Sequence, residues 1–356
     1  MGKQNKKRSP AKPRPAAGPT TAPAPAPAPA ITVSEGPQPI LLCCRPGFAN
    51  FIDEFIAGLA PDIPFTKLVS DNPPEIEAAV RRHQAIWLEW GNDLTAAITK
   101  ELARHLTGKR VFLRIHHYEV LERVAFNIDY RPVTDLIFVC NLMRELLLRD
   151  RPEVAQQVPR IHVIPNGVDI ERYRLVDRPP GRNLAYIGYL NYKKAPILLM
   201  HAFEALHRRD PACRLHVAGS FQDAYNQNAC HAFLAKNGLK DAVTFHGWVD
   251  DIQAWLADKQ HLLSTSLSES QGMGIMEAMA TGCEPLIYSF VGAELIYGRR
   301  WLWNNLTELA QRLDRPPDPA AARDFVAANY SLAIQLTSLR RMILGRELIS
   351  FAGPRV

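Results

Sequence analysis

The sequence predicts an α/β protein of two domains, each built on a mostly parallel sheet covered by helices on both faces. Three observations carry this. From Pro39 onward, short apolar runs of strand length alternate with helical patterns. The rhythm breaks once, at Pro165-Asn166-Gly167, and then starts again. The chain, at 356 residues, is also long enough for two domains of ordinary size.

Residues 1–36 stand apart. They are Lys-rich, then Pro- and Ala-rich (TAPAPAPAPA), a composition that cannot build a core and is expected to be disordered or polyproline-like. Lys3, Lys6, Lys7, Arg8, Lys12 and Arg14 precede the first acid, Glu35, and account for the whole net charge of +6. The rest of the chain is formally balanced, which argues against nucleic acid as a partner. The tail suits loose peripheral contact with an acidic surface, such as the inner face of a membrane, or else is a solvated arm. The basic start runs into Pro and Ala rather than an apolar stretch, so no secretory leader is expected. No apolar run reaches the roughly 18 residues that span a bilayer. The Met1-Gly2 start lacks the Ser or Thr of a myristoylation signal, having Lys6 there. Six cysteines occur without a C-x-x-C pair, and Cys43, Cys44 and Cys140 end apolar runs. They read as reduced, buried thiols of a cytoplasmic protein and not as zinc ligands.

The first domain is expected over 37–165. Its strands are ILLCC, TKLVS, AIWLEW, RVFLRIH, DLIFVC and RIHVI. Helices are expected from Asn50 to Leu59, over PEIEAAVRRH, from Asp93 (capped by Asn92 and ended by Gly108) and over NLMRELLLRD. Asp169 is the expected N-cap of a short helix, IERY, just past the break. The second domain, 166–330, repeats the alternation. Strand NLAYIGY precedes a helix from Ala195 to His207, CRLHVAGS a helix ending at Lys236, and AVTFHG the helix DIQAWLAD. Strand HLLSTS, a helix from Gly272, strand PLIYSF, strand-like WLWN and helix NLTELAQRL follow. From Pro319 two helices are expected to meet at Asn329-Tyr330-Ser331, leaving 331–356 as a terminal element.

The stretch from Ser264 to Tyr288, STSLSESQGMGIMEAMATGCEPLIY, organises the chemistry. An apolar strand turns sharply into a helix that opens at Gly272 and stops at Gly282, a residue suited to the left-handed position past a helix end. Free N–H groups and the positive end of the helix dipole make an anion site at Gly272-Met273-Gly274. The two glycines keep side chains away from it. Glu269 lies in the turn and Glu277 on the helix, with Gly274 expected to leave room beside the Glu277 carboxylate. Carboxylates accept sugar hydroxyls well and phosphate poorly. A ligand with an anionic middle and hydroxyl-rich ends fits, and a nucleotide-sugar has that shape.

These residues resemble the E-x7-E region of family-4-like retaining glycosyltransferases of the GT-B fold, and the resemblance runs from about Pro37 to the C-terminus. It implies two Rossmann-like doubly wound domains facing across a cleft, with the last helix crossing back to the N-terminal domain. It also implies a hexosyl-type group moving from a nucleotide-diphosphate sugar to a hydroxyl acceptor (glycan, lipid-linked or protein), with no metal and no cofactor. By the same resemblance Glu269 contacts the transferred sugar and Glu277 the ribose, and His116, at the end of VFLRIHHYE, is the family's histidine near the sugar. The family segment G-R-L-x-x-x-K-G stands here as Gly188-Tyr189-Leu190-Asn191-Tyr192-Lys193-Lys194-Ala195. Lys194 matches the diphosphate lysine. Tyr189 replaces the arginine, so Lys193 or another residue takes its place, or the donor is held differently. Gly47, in the turn after the first strand, resembles the glycine turn that faces donor phosphate. Gly219 and Trp248 end strands in loops that approach the nucleotide in the family, although Trp248 suits the core equally well.

Other readings stay open on the residues alone. His116, His117 and Glu119 form a cluster, but adjacent histidines on a strand point to opposite faces, which argues against metal. Trp87, Glu89 and Trp90 end a strand either as packing or as an acceptor platform. Asp250-Asp251 caps a helix. No general base stands out, which fits retaining transfer assisted by the leaving diphosphate, with catalysis by charge and orientation. A dinucleotide-binding oxidoreductase requires a third glycine where Glu277 stands. A catalytically degenerate relative, binding nucleotide-sugar or serving as an assembly partner, is kept alive by Tyr189.

Overall fold

A computed structural model describes residues 38–49, 52–60 and 62–346. The expectations placed on residues 1–36 and on the last ten residues lie outside these. Among the described residues, twelve strands form two sheets in which every pairing is parallel. The first sheet has the order β2-β1-β3-β4-β5-β6, with β1 (Ile40–Cys44), β2 (Phe65–Val69), β3 (Ala85–Glu89), β4 (Arg110–Ile115), β5 (Asp135–Phe138) and β6 (Arg160–Val163). The second has the order β12-β11-β10-β7-β8-β9, with β7 (Asn183–Ile187), β8 (Arg214–Ala218), β9 (Val243–Gly247), β10 (His261–Ser264), β11 (Glu284–Tyr288) and β12 (Leu302–Trp303). Strands covered on both faces read as unbroken apolar runs, and ILLCC is buried along its whole length.

Helix signals act where the residues place them. The Asn92 side chain accepts from the Leu94 and Thr95 N–H groups and starts the helix Asp93–Glu101. The segment after Asp169 departs from expectation. Asp169 caps the Glu171 and Arg172 N–H groups, but IERY makes a turn and not a helix. A first turn fixes several residues for one closing bond, here Tyr173 N–H to Asp169 O at 2.9 Å, and nothing follows to propagate it.

The chain passes between the sheets twice, and the two passages are bonded side by side. Val168 N–H donates to Tyr330 O (2.7 Å) and Leu332 N–H to Val168 O (2.8 Å). After Ser331 the helix Leu332–Ile343 lies on the first domain, where Leu339 and Met342 share a buried cluster with Leu42, Trp87 and Phe112. Gly58 permits this approach: a Cβ there would stand 2.5 Å from Leu336 Cδ1. Arg110 Nη2 donates to Met342 O at 2.7 Å and anchors the helix end.

Candidate active site

In the second sheet the strand order reverses between β7 and β10, the place where open parallel sheets hold ligands. The loops after these strands meet there and are stapled by Leu267 N–H to Lys193 O (2.8 Å) and Thr265 Oγ1 to Lys194 O (2.9 Å). Lys194 Nζ then bonds the Glu269 carboxylate, both side chains being largely buried. Burial pushes the Glu269 carboxyl up. The Lys194 charge and hydrogen bond, with help from Ser266 and Lys193, outweigh that and hold it below the ordinary carboxylate range. Ala195, at the family's glycine position, takes the left-handed conformation at φ +49°.

The helix Met273–Ala280 starts from Gly272, itself left-handed at φ +69°. A Cβ on Gly272 would come 2.7 Å from Tyr297 Oη, which donates to Gln271 O. Gly274 has a different reason to be glycine from the one expected. A Cβ there would stand 2.8 Å from Ile187 Cγ2, so its absence lets the helix lie against the end of β7 instead of clearing space beside Glu277. Glu277 is half-buried on this helix. Burial raises its pKa and the nearby Glu54 adds to this, against the Tyr173 hydrogen bond and the Arg172 charge. The helix ends at Thr281, with Gly282 left-handed after it at φ +87°.

Gly219 follows β8 at φ +145°, where a Cβ would overlap Gly188 O at 1.9 Å. Gly47 follows β1, exposed and left-handed at φ +82°. Trp248 follows β9 and is 73% exposed, its indole N–H held by Asp250 Oδ1 at 2.9 Å. The core reading of Trp248 is thereby excluded. Tyr189 lies beside it, ring centroids 6.2 Å apart, and is 47% exposed.

Across the cleft the two adjacent histidines separate. His116 turns into the first domain, its Nε2 2.7 Å from Glu89 Oε1 and its ring stacked on Trp90 at 3.8 Å. His117 Nε2 shares a 2.8 Å hydrogen bond with Ser268 Oγ, next to Glu269. Burial pushes the His117 pKa down to about 4, Lys193 and Lys194 adding to this against the Glu269 carboxylate. The structure therefore brings His117 to Ser268, beside the Lys194–Glu269 pair, while His116 bonds Glu89 and stacks on Trp90. Glu119 accepts from the Gly91, His116 and His117 N–H groups, so its carboxylate shapes this loop rather than converging with the imidazoles. Trp87 is core, with Nε1 donating to Glu89 Oε2 at 2.7 Å. Trp90 is partly exposed in the left-handed region at φ +73°.

Sequence reasoning does not single out Ser268 or Asn166 as site residues, and marks Gln271, with Ser270, only as a departure from the family's usual residues beside Glu269. Asn166 and Gln271 pair twice: Asn166 N–H donates to Gln271 Oε1 (2.8 Å) and Gln271 Nε2 to Asn166 O (2.6 Å).

Two parallel α/β sheets whose carboxyl ends meet across a cleft define the GT-B fold of glycosyltransferases. The crystal structure of Anabaena HepE in complex with UDP matches with a TM-score of 0.69 at 17% identity, covering 86% of this chain and 100% of that one. The apo form of the lipopolysaccharide outer core galactosyltransferase WaaB matches with a TM-score of 0.62 at 16% identity, covering 86% and 99%. At these identities the likeness is one of fold. In sequence, residues 181–315 match the profile described as Glycosyl transferases group 1. The GDP-mannose:cellobiosyl-diphosphopolyprenol alpha-mannosyltransferase of Xanthomonas campestris is 34% identical over 131 residues, 36% of this chain and 34% of that protein. The chain thus spans about a third of the length of the first curated relatives it matches. The resemblance to GT-B glycosyltransferases drawn from the sequence holds in both fold and profile, and the family-4-like subtype is compatible with them.

Proposed function

We propose that the protein is a retaining glycosyltransferase that moves a hexosyl-type group from a nucleotide-diphosphate sugar to a hydroxyl of a glycan, lipid-linked or protein acceptor. The observation that carries this reading is the buried Lys194–Glu269 pair at the β7/β10 reversal, facing His117 beside the start of the helix Met273–Ala280. In the pair Lys194 already holds a carboxylate, and a donor diphosphate is the natural replacement. As the diphosphate takes up Lys194, Glu269 is released to the hydroxyls of the transferred sugar. Lys193, Lys194 and the helix start then stabilise the departing diphosphate without a metal ion. Glu277 takes the ribose, and Gly47, Gly219 and Trp248 border the nucleotide. His117, neutral at pH 7, offers a hydrogen bond to the sugar.

The relatives order the donors to try: HepE was crystallised with UDP, and the Xanthomonas enzyme is named for GDP-mannose. Reaction in the cytoplasm, at the inner face of a membrane when the acceptor is lipid-linked, completes the proposal. Among the described residues no helix is long and apolar enough to cross a membrane.

Thermal unfolding with UDP-, GDP-, ADP- and CMP-sugars tests this on wild type and Glu277→Ala. A ligand at a hundred times its Kd stabilises by about 2.7 kcal/mol. A midpoint shift with one nucleotide, lost in the variant, is expected. No shift with any of them favours the degenerate relative as an assembly partner, and a shift without turnover favours it as a nucleotide-sugar binder. The specific observation for either is Tyr189, an exposed ring against Trp248 at the family's arginine position.

A further inference from the structure

A closed circuit of contacts surrounds Glu269. From His117 it crosses the cleft to Ser268 and follows the backbone past Glu269 to Gln271. Gln271 pairs twice with the Asn166 backbone, in the first passage between the domains. The Asn166 side-chain oxygen accepts from Arg114 Nη2. Arg114 Nη1 reaches Glu89 Oε1 at 3.3 Å, and the same oxygen accepts from His116 Nε2, which returns the circuit to His117. Glu89, Arg114, His116, Asn166 and Gln271 are all buried, so the bonds among them are made away from water.

We propose that Gln271 is a positioning residue for the transfer reaction: through Asn166, Arg114 and Glu89 it closes a buried ring that keeps His117 in register with Glu269 across the cleft. The inference rests on the site assignment above, though not on the identity of the donor. Three features support it. Ser268 and Gln271 flank Glu269, so the turn bearing the carboxylate is tied to the first domain on both sides. Glu89 also binds His116 and the Trp87 indole, and is held ionised: burial pushes its carboxyl up, but Arg114 and His116 keep it below the ordinary range. An ionised carboxylate only accepts, so His116 carries its proton on Nε2 and its ring orientation is fixed. Finally, an Arg buried against a carboxylate often costs more than it returns in stability, and specifying a single arrangement is the role such pairs are best suited to.

The test compares wild type with Gln271→Ala and Asn166→Ala. Turnover and KM are measured as hydrolysis of the nucleotide-sugar found by thermal shift, water taking the place of the acceptor hydroxyl and the nucleotide diphosphate leaving. Affinity is measured with the corresponding free nucleotide diphosphate. Gln271→Ala should keep nucleotide affinity within about twofold and lower kcat roughly 10- to 100-fold, the scale of misplacing reacting groups. Asn166→Ala leaves both Gln271 bonds to backbone intact but removes the bond to Arg114, so it opens the same ring; it should lower kcat on a similar scale and be non-additive with Gln271→Ala. An affinity loss matching the kcat loss, or an unchanged kcat, overturns the proposal. Hydrogen exchange on the same proteins needs no substrate. Slow exchange at the Asn166 amide in wild type, lost in Gln271→Ala together with protection over residues 110–119, is expected. Protection of 110–119 that is indifferent to Gln271 overturns the inference even where no donor is turned over, and so separates its failure from that of the functional proposal.

Discussion

The two sheets share a size and a direction but arm their carboxyl ends differently. At the ends of β7, β8 and β9 the second domain places Gly188, Gly219 and Gly247, all at positive φ, with Lys193 and Lys194 nearby. After β1, β3 and β4 the first domain places Phe48, Trp90, His116 and Tyr118, rings that touch one another. One edge gathers partly buried glycine backbone and two lysines, which suits an anion held without regard to shape. The other presents fixed side chains, which suit a partner chosen by shape. On the proposed function, a cleft built this way would separate holding the donor from selecting what receives it.

The largest effect expected tests the cationic edge. Lys194→Ala should lower kcat/KM for the donor by roughly 10²- to 10³-fold, the scale of removing one preorganised electrostatic partner. Steady-state kinetics check it, and a loss under about fivefold would mean that the backbone edge suffices. Next comes acidity. His117, on the first domain, and His261, at the start of β10, are buried and each has its pKa pushed down to about 4, from 6.5 when unfolded. Both are neutral when folded, and the unfolded chain takes up more protons between these values. Their contribution to stability is therefore complete above about pH 6.5 and lost as pH falls towards 4, by about 3 kcal/mol at most per histidine. Urea unfolding at about pH 7 and about pH 5 should show the loss, and His117→Asn should flatten its share. The smallest effect concerns Ala195. Its left-handed backbone costs about 1–2 kcal/mol, while glycine gives back about 0.5–1 through the freer unfolded chain. Ala195→Gly should thus raise Tm by about two degrees, and a fall in Tm would place the strain elsewhere.

Much of this is legible in the residues. Strands buried on both faces announce themselves as apolar runs, and the Pro165-Asn166-Gly167 break is local chemistry. The Lys194 and Glu269 loops are legible for the same reason, since glycines and charges stand out at strand ends. The histidine pair is harder. Alternation says that His116 and His117 part company, but which one faces the cleft depends on Glu89, a neighbour in another strand. Gly274 invites the thought of what its missing side chain could admit, whereas the close neighbour is Ile187, distant in sequence. Gln271 and Asn166 lie 105 positions apart, and nothing local marks either as the other's partner.

The paired passages between the domains bear on how the molecule survives damage. The coil from Arg174 to Arg182 carries several exposed residues and is open to proteases. A cut there would sever the first passage downstream of Val168. The second fragment would still carry the helix Leu332–Ile343, seated in the core of the first. The nicked protein should therefore travel as one particle through a native column and part only in denaturant. The same arrangement makes this coil a natural place to reopen the chain in a permuted version, because the covalent order of the halves matters less than the clasp that joins them.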